Sequence, residues 1–172
     1  LKLAKAEALE KELIRKQELP HLYGFNWYEW ALDFFESRNK MCLLTAANQI
    51  SKSSTQIRKM VHWATETSLW PELWASTPRQ FWFCYPDSNL ATSEFEMKWV
   101  PEFMPRGSMK DDPKYGWKAY YKQAKKIDYV QFHSGVRVYF KTYEQDVHAL
   151  QGSTVHYIGC DEELPAELYS EL

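Results

Sequence analysis

A lysine and a serine side by side, Lys52 and Ser53, are the first residues in the chain whose types and spacing predict chemistry. In a phosphate-binding loop, the backbone N–H groups of a turn and of a helix N-terminus point at the anion, and a lysine and a hydroxyl residue complete the cage. The spacing agrees with that pattern, but Ala46 and Ser51 occupy its two glycine positions. The alternative is an ordinary strand-to-helix turn that carries a surface lysine.

Two adjacent acids, Asp161 and Glu162, follow a second β-rich run that begins at Val155. An aspartate at the end of a buried parallel strand can hold Mg²⁺ beside phosphates, and the next glutamate can orient or deprotonate an attacking water. Acids also simply mark where a strand reaches the surface. Ligands of open α/β sheets lie outside the carboxyl ends of the strands, so we expect the Lys-Ser and Asp-Glu pairs to converge on one crevice.

The elements that position these pairs alternate along the chain. The patterns predict strands at residues 41–45, 80–85, 128–133, 136–143 and in the run that ends at the acids. They predict helices at residues 2–17, 27–37 and 56–66, and a last helix that opens at Pro165. Residues 93–107 are predicted to form a loop, and Ser134-Gly135 to turn a hairpin. The predicted fold class is α/β, with a mostly parallel central sheet, helices on both faces and an antiparallel hairpin.

Composition excludes several classes of protein. The chain has 172 residues, a formal net charge of −2 and eight tryptophans, and its apolar runs are too short to span a bilayer. Three separated cysteines, Cys42, Cys84 and Cys160, are each predicted inside a buried strand as small hydrophobes, which suggests a reducing cytosol. The five histidines show no ligand spacing, so we expect no zinc site and no metal beyond Mg²⁺.

Two segments together resemble a known family. Residues 46–53, Ala-Ala-Asn-Gln-Ile-Ser-Lys-Ser, are similar to the phosphate loop of tailed-bacteriophage large terminases, in which alanine often replaces the first glycine. Residues 140–169, with Thr-Tyr-Glu-Gln, Leu-Gln-Gly and Asp-Glu-Glu-Leu-Pro, resemble the approach to and exit from that family's acidic strand. The chain is therefore identified as similar to the N-terminal ATPase domain of a terminase large subunit.

The resemblance implies a P-loop NTPase fold of the ASCE type and a set of site residues. Lys52 would grip the β- and γ-phosphates of ATP, Ser53 and Asp161 would hold Mg²⁺, and Glu162 would position the lytic water. The rest of the nucleotide loop would be formed by Ala46, Ala47, Asn48, Gln49, Ile50, Ser51 and Ser54. Family members also place an adenine-contacting aromatic residue and a glutamine just upstream. Tyr28 and Glu29 stand there, and glutamate can only accept hydrogen bonds from the base.

The chain lacks arginine at two positions where members of the family often carry one. The charge on a transferring phosphoryl group is usually neutralised by an arginine, but the two positions that often carry it hold Asn48 or Gln49 in the loop and Gln151 before the acidic strand. The remaining candidates are Arg58, Arg79, Arg106 and Arg137. We expect a neighbouring subunit to supply the arginine, with Arg106 the first choice and Arg79 the second.

A basic stripe is the last candidate feature. Lys114, Lys118 and Lys122 lie four apart and are continued by Lys125 and Lys126, which predicts one face of a helix. Such a stripe could follow a DNA backbone. It could equally be the solvated side of a packed helix.

By resemblance, the chain comprises a helical lead-in, residues 1–20, and a truncated ATPase domain, residues 21–172, with the family's nuclease domain expected beyond it. The implied partners are double-stranded DNA, the portal protein, the small terminase subunit and further copies in a ring, with no membrane. The implied location is the host cytoplasm at the portal vertex of the procapsid. Two alternatives stay open: another P-loop motor such as a helicase, and a nucleotide-binding or structural module whose hydrolysis Ser51 impairs.

Overall fold

The computed structural model describes residues 2–24, 28–45, 50–143 and 154–162, which form a mixed α/β fold. The α-helices are α1 (Lys2–Glu18), α2 (Pro20–Tyr23), α3 (Glu29–Glu36), α4 (Lys52–Thr65), α5 (Trp70–Leu73) and α6 (Ser88–Glu94), which continues into a π-helical segment (Phe95–Phe103). Short 3₁₀ turns occupy Thr67–Leu69, Gly107–Lys110 and Gln123–Lys125. The strands are β1 (Gln80–Tyr85), β2 (Trp117–Tyr121), β3 (Ile127–Phe132), β4 (Arg137–Thr142) and β5 (Tyr157–Cys160).

The five strands form one sheet in the order β2-β3-β4-β1-β5. β1 lies parallel to both β4 and β5, with Phe83 opposite Phe140 on one side and Gly159 on the other. β2, β3 and β4 form an antiparallel meander. The expectation of a mostly parallel sheet is therefore wrong, because β2 extends the predicted hairpin by a further antiparallel strand.

An aromatic core covers one face of the sheet. Phe83 and Phe140 both point at Trp99 of the π-helical segment, at ring distances of 5.1 and 5.0 Å, and Phe81 packs on Trp74, which follows α5. Phe83, Trp99 and Phe140 are almost completely buried. Large aromatic rings contribute most of the apolar area in a core of this kind. The helices that make these contacts lie on the same face of the sheet.

Several sequence-based expectations are confirmed. α1 and β1 occupy the predicted ranges almost residue for residue, and α4 includes most of the predicted helix. β3 and β4 flank the turn at Ser134-Gly135, where Gly135 has a φ of 99°. β5 runs into the acidic pair as predicted. The helix expected to open at Pro165 lies outside the described residues.

Other expectations are wrong. Residues 41–45 form no strand, and Met41 and Leu43 are 74% and 87% exposed, so Cys42 is an exposed thiol rather than a buried one. The predicted loop at residues 93–107 is mostly helical, with Pro101 inside the π-helical segment. The predicted basic helix is instead β2, in which Trp117 and Ala119 alternate with Lys118 and Tyr120 across the two faces.

Two buried cations fix the N-terminal helices to α4. Arg58 donates to the carbonyls of His21 and Leu22 in α2, while the Lys59 ammonium donates to Phe34 O at 2.6 Å and Ser37 O at 2.9 Å, at the end of α3. Helix C-termini present unpaired carbonyls and a partial negative charge, so they suit a cation. Burial nevertheless lowers the pKa of Lys59 to about 8. α4 is thus the helix against which both α2 and α3 are positioned.

Candidate phosphate and metal site

α4 packs against β5 and runs in the opposite direction to it. Near the end of α4, the Trp63 ring lies 4.9 Å from the Tyr157 ring at the start of β5. One turn earlier in the helix, Met60 lies above Gly159, where an added Cβ would stand 3.3 Å from the Met60 Cε atom. A Cβ at this position would therefore require the Met60 and Phe83 side chains to shift by a few tenths of an ångström. Moving toward the N-terminus of α4 means moving toward the C-terminus of β5.

The two predicted chemical pairs lie beyond these contacts, at one edge of the sheet. Ser53 precedes Met60 by two helical turns, or about 10 Å along the helix axis. Asp161 follows Gly159 by two residues, or about 7 Å along the strand. Both stretches run toward the edge at which the parallel strands β1, β4 and β5 all end. Such a carboxyl edge is where open α/β sheets bind their ligands.

Ser51 introduces α4 with an unusual backbone conformation. Its φ and ψ are 67° and 28°, in the left-handed region. That region costs a side-chain-bearing residue roughly 1 kcal/mol or more, and glycine occupies it freely. Thr55 stabilises the turn, because its N–H and its hydroxyl both donate to Ser51 O, at 3.0 and 2.8 Å. The backbone thus keeps a conformation typical of glycine at a position where the chain carries serine.

The acidic pair is attached to the neighbouring strands. The Asp161 N–H donates to Cys84 O at 3.2 Å, which continues the ladder between β1 and β5. The Tyr143 hydroxyl donates to Glu162 O at 3.0 Å, and the Tyr143 N–H donates to Tyr85 O at 3.1 Å. Burial raises the pKa of the Tyr143 hydroxyl, so it stays a donor at neutral pH. These contacts fix the chain on both sides of the Asp161 carboxylate.

The Asp161 carboxylate fits a magnesium ligand. Its Oδ1 atom is buried and has no hydrogen-bond partner among the described residues. A buried carboxylate oxygen without a partner costs free energy, and an oxygen-seeking cation with its bound waters would remove that cost. The Ser53 hydroxyl, half-buried in the first turn of α4, is the second oxygen predicted to bind Mg²⁺. No group of three histidine, cysteine or acidic side chains forms a metal cluster within the described ranges.

Two cysteines lie next to the acidic pair in the sheet. Cys84 of β1 and Cys160 of β5 are paired in register. The neighbouring Cys160 thiol and burial raise the pKa of the Cys84 thiol, while the neighbouring Cys84 thiol lowers the pKa of Cys160. Both cysteines lie in strands, as expected.

A comparison with family models matches residues 43–172 to the terminase large subunit, T4likevirus-type, N-terminal. The matched range covers well over half of the chain and contains both α4 and the acidic end of β5. The chain belongs to this terminase large subunit family. Family membership implies a role in packaging bacteriophage DNA. Neither a curated protein nor a solved structure matches the chain.

Only some of the remaining predicted site residues lie within the described part of the chain. Ala46, Ala47, Asn48 and Gln49 fall outside the described residues, whereas Ile50, Ser51, Lys52, Ser53 and Ser54 lead into α4. Tyr28 and Glu29 begin α3, and the 56% exposed Tyr28 ring lies parallel to the Trp30 ring at 6.3 Å. Both residues precede the range that matches the family.

The two arginine candidates are both away from the acidic pair. Arg79 precedes β1 and therefore lies at the opposite edge of the sheet. Arg106 is exposed, but its guanidinium donates to Gln17 O at 3.0 Å and Pro101 O at 3.2 Å. Beside it, the Ser108 hydroxyl donates to the Glu18 carboxylate at 2.6 Å. Arg106 thus helps to fix the end of α1 to the terminase domain.

Tyr143 belongs to the Thr-Tyr-Glu-Gln motif, but no role was predicted for it from the sequence. The signal was its place, because Tyr143 directly follows β4 at the same edge as Asp161. Within the described part of the terminase chain, no helix combines the length and the apolar character needed to cross a membrane.

Proposed function

We propose that this chain is the ATPase motor domain of a phage terminase, which hydrolyses ATP to drive double-stranded DNA into the procapsid. The observation that carries the proposal is the buried, unpartnered Oδ1 atom of Asp161 at the carboxyl edge of parallel strands. α4 runs to the same edge and begins with Lys52 and Ser53. A P-loop NTPase fold of the ASCE type is part of this proposal.

Each residue of the Lys-Ser and Asp-Glu pairs has a proposed role. Lys52 would contribute positive charge to the β- and γ-phosphates, and the Ser53 hydroxyl and the Asp161 carboxylate would hold Mg²⁺. When bound there, Mg²⁺ would neutralise charge on the phosphate oxygens. Glu162 orients the attacking water, and the Tyr143 hydroxyl holds the Glu162 backbone in place. The helix N-terminus adds N–H groups that favour an anion.

The nucleotide loop would run from Ala46 to Ser54 and enclose the phosphates. Tyr28 and Glu29 would contact the adenine, since the Lys59 ammonium fixes α3 to the same helix that the loop introduces. Glutamate can accept a hydrogen bond from the adenine amine but cannot donate one to the ring nitrogen. We therefore expect weaker discrimination of adenine than a glutamine would give.

The arginine that neutralises the γ-phosphate would come from a neighbouring subunit in a ring. Arg106 remains the first candidate and Arg79 the second. Because the Arg106 guanidinium donates to carbonyls at the end of α1 and in the π-helical segment, it would have to leave them to reach a neighbour.

The proposed partners are double-stranded DNA, the portal protein, the small terminase subunit and other copies of the same chain. The proposed location is the host cytoplasm, at the portal vertex of the procapsid. These assignments rest on the role that the family implies.

A second candidate function is a nucleotide-binding or structural module with impaired hydrolysis. The observation that favours it is the left-handed conformation of Ser51, where a Cβ and a hydroxyl stand at a position suited to glycine. Close approach of the loop backbone to the phosphates would be harder with this side chain present.

The deciding experiment compares wild type with Asp161→Asn in magnesium-dependent ATP hydrolysis and in thermal unfolding. Asparagine has the same shape but no charge, so we expect hydrolysis to fall at least about 100-fold while stability without nucleotide is unchanged or higher. Asp87→Ala is the matched control, because Asp87 follows β1 and caps α6 through the N–H groups of Asn89 and Leu90. That control should lose about 1 kcal/mol of stability and keep its activity. Magnesium-dependent hydrolysis that survives in Asp161→Asn would refute the proposal.

A further inference from the structure

Three tyrosines form a row on the face of the sheet opposite the aromatic core. Tyr120 of β2 pairs in register with Tyr129 of β3, and Tyr129 pairs with Tyr139 of β4. Their ring centroids are 4.6 and 5.0 Å apart, with interplanar angles of 12° and 38°. The rings therefore lie face against face and stand up from the sheet, so each hydroxyl lies at the end far from the backbone.

One cationic side chain lies near each of these three rings. The Lys118 ammonium lies 5.4 Å from the centre of the Tyr120 ring, and the Arg137 guanidinium lies 5.6 Å from the centre of the Tyr129 ring. The Lys141 ammonium lies 5.6 Å from the Tyr139 ring. We define the tyrosine face as Tyr120, Tyr129, Tyr139, Lys118, Arg137 and Lys141.

The tyrosine face is locally positive in a chain whose net charge is −2. The acid beside it among the described residues is Asp128, whose carboxylate pairs with the Lys122 ammonium at 3.1 Å. Gln131 accepts from the Arg137 Nε atom at 2.5 Å and so orients the guanidinium. Lys118 and Arg137 therefore form no ion pair with a carboxylate among the described residues. Burial and the Lys122 ammonium lower the pKa of Lys141, and the Asp128 carboxylate partly offsets them.

The core does not require this arrangement. Lys118 and Arg137 are exposed and Tyr120 is 37% exposed, while Tyr129, Tyr139 and Lys141 are half-buried. Val138, the next residue along β4, is completely buried on the other face. Ordering the long side chains of these tyrosines and cations on one face of the sheet loses conformational entropy. Their arrangement suits a polyanion.

We propose that the tyrosine face binds the phosphate backbone of double-stranded DNA; this inference rests on the proposed packaging function and assigns a contact surface to it. Arginine, lysine and tyrosine hydroxyl groups all bind phosphate oxygens without reading sequence. β2 and β4 are two strand spacings apart, about 10 Å, which spans two or three phosphates of one DNA strand at about 3.4 Å of axial rise each.

Duplex DNA fits this face better than single-stranded DNA does. Proteins that bind single strands offer free ring faces on which successive bases stack. In the tyrosine face, the Tyr129 ring has a tyrosine on each side, so neither of its faces is open to a base. The groups that remain are hydroxyls and cations.

The test measures binding of the 172-residue chain to a labelled duplex of about 30 base pairs without nucleotide, at salt concentrations from about 50 to 200 mM. We expect log K to fall with log salt with a slope of about −2 to −3, and Arg137→Ala to weaken binding and reduce the slope by about 1. Tyr129→Phe, which removes only a hydroxyl, should weaken binding about two- to tenfold. Lys110→Ala is the matched control, because Lys110 is exposed and lies over Trp117, on the core side of the sheet. It should bind like wild type.

Four results would overturn the assignment: no duplex binding, equal effects of Arg137→Ala and Lys110→Ala, tighter binding of a single strand, or displacement of the duplex by polyglutamate at lower concentration than by unlabelled duplex. The last result would indicate an acidic protein partner. ATP hydrolysis without DNA is measured on the same variants and should be unchanged. Absence of duplex binding by the wild-type chain with its hydrolysis intact refutes the surface alone, whereas duplex binding by a wild-type chain that does not hydrolyse ATP refutes the ATPase.

Discussion

The Tyr143 hydroxyl donates a hydrogen bond to the Glu162 carbonyl at 3.0 Å, and so joins the end of β4 to the residue proposed to orient water. β1 lies between β4 and β5, so this contact spans the carboxyl edge of the three parallel strands. The position of the Glu162 backbone therefore depends on a side chain two strands away.

Tyr143→Phe should slow ATP hydrolysis about tenfold and leave nucleotide affinity unchanged, because it removes a positioning contact and no phosphate ligand. Single-turnover hydrolysis and equilibrium nucleotide binding measure the two effects separately. Tyr85→Phe is the control: it also removes a hydroxyl near the end of a parallel strand, but this hydroxyl accepts from Trp99 in the core. It should cost about 1 kcal/mol of stability and leave turnover intact. Equal loss of turnover in both variants would contradict the role of Tyr143.

The sequence predicted the parts of the fold whose patterns have one physical meaning. Two acids directly follow β5, and the turn before β4 carries Gly135, so both elements were recognisable from local chemistry. The basic stripe was misread because a spacing of four residues lies on one side of a helix and also on one side of a strand. The alternation of Trp117, Lys118, Ala119 and Tyr120 was the better signal for β2.

Tertiary contacts decided what local patterns could not. The apolar residues Met41 and Leu43 predict a buried strand, yet both are exposed, and no pattern within five residues indicates which sheet they would join. Pro101 suggests a loop, but the aromatic residues Phe95, Trp99 and Phe103 bury one side of the π-helical segment and maintain it. The buried Asp161 oxygen and the contact from Tyr143 likewise depend on strands distant in sequence.

Ser51→Gly should stabilise the chain by about 1 kcal/mol, because glycine adopts the left-handed conformation without steric cost. It should also raise ATP hydrolysis, since removal of the Cβ lets the loop approach the phosphates. Ala124→Gly is the matched control: Ala124 has a φ of 58° in a turn between β2 and β3. A similar gain in stability without a change in turnover is expected there. No change in hydrolysis in Ser51→Gly would show that serine is tolerated in the loop.

Lys52→Ala should abolish nucleotide binding, whereas Glu162→Gln should preserve binding and stop turnover. The reason is that Lys52 contributes charge to the ground-state phosphates, while Glu162 acts on the water. Nucleotide affinity is measured by titration, and hydrolysis in a single turnover. Equal loss of affinity in both variants would remove the assignment of Glu162.

Stability should fall as the pH decreases from about 6.5 toward 4. Burial lowers the pKa of His21 to about 3 and that of His62 to about 4, both from 6.5. Between these values the unfolded chain binds protons that the folded chain does not, so acid favours unfolding by up to about 1.4 kcal/mol per pH unit and histidine. Urea unfolding at several pH values measures the slope. His62→Gln should remove about half of it, and a wild-type free energy of unfolding that is constant over this range would contradict the account.

Hydrolysis per subunit should rise with protein concentration if an arginine acts between subunits. In mixtures, an Arg106→Ala subunit with an intact nucleotide site should be rescued by a Lys52→Ala subunit with an intact Arg106. Ser108→Ala is the control, because it weakens the contact with Glu18 in α1 and leaves the Arg106 guanidinium in place. Flat specific activity and no rescue for either Arg106 or Arg79 variants would exclude a finger at both positions.

We propose that Asp161 and the first turn of α4 form one nucleotide site. A crystal structure of the chain with Mg²⁺ and a non-hydrolysable ATP analogue tests it most directly. We expect the metal within about 2.1 Å of the Asp161 Oδ1 atom and of the Ser53 hydroxyl oxygen, with the Lys52 ammonium on the β- and γ-phosphates. Phosphates bound away from Lys52, or an Asp161 Oδ1 atom still without a partner while the analogue is bound, would contradict it.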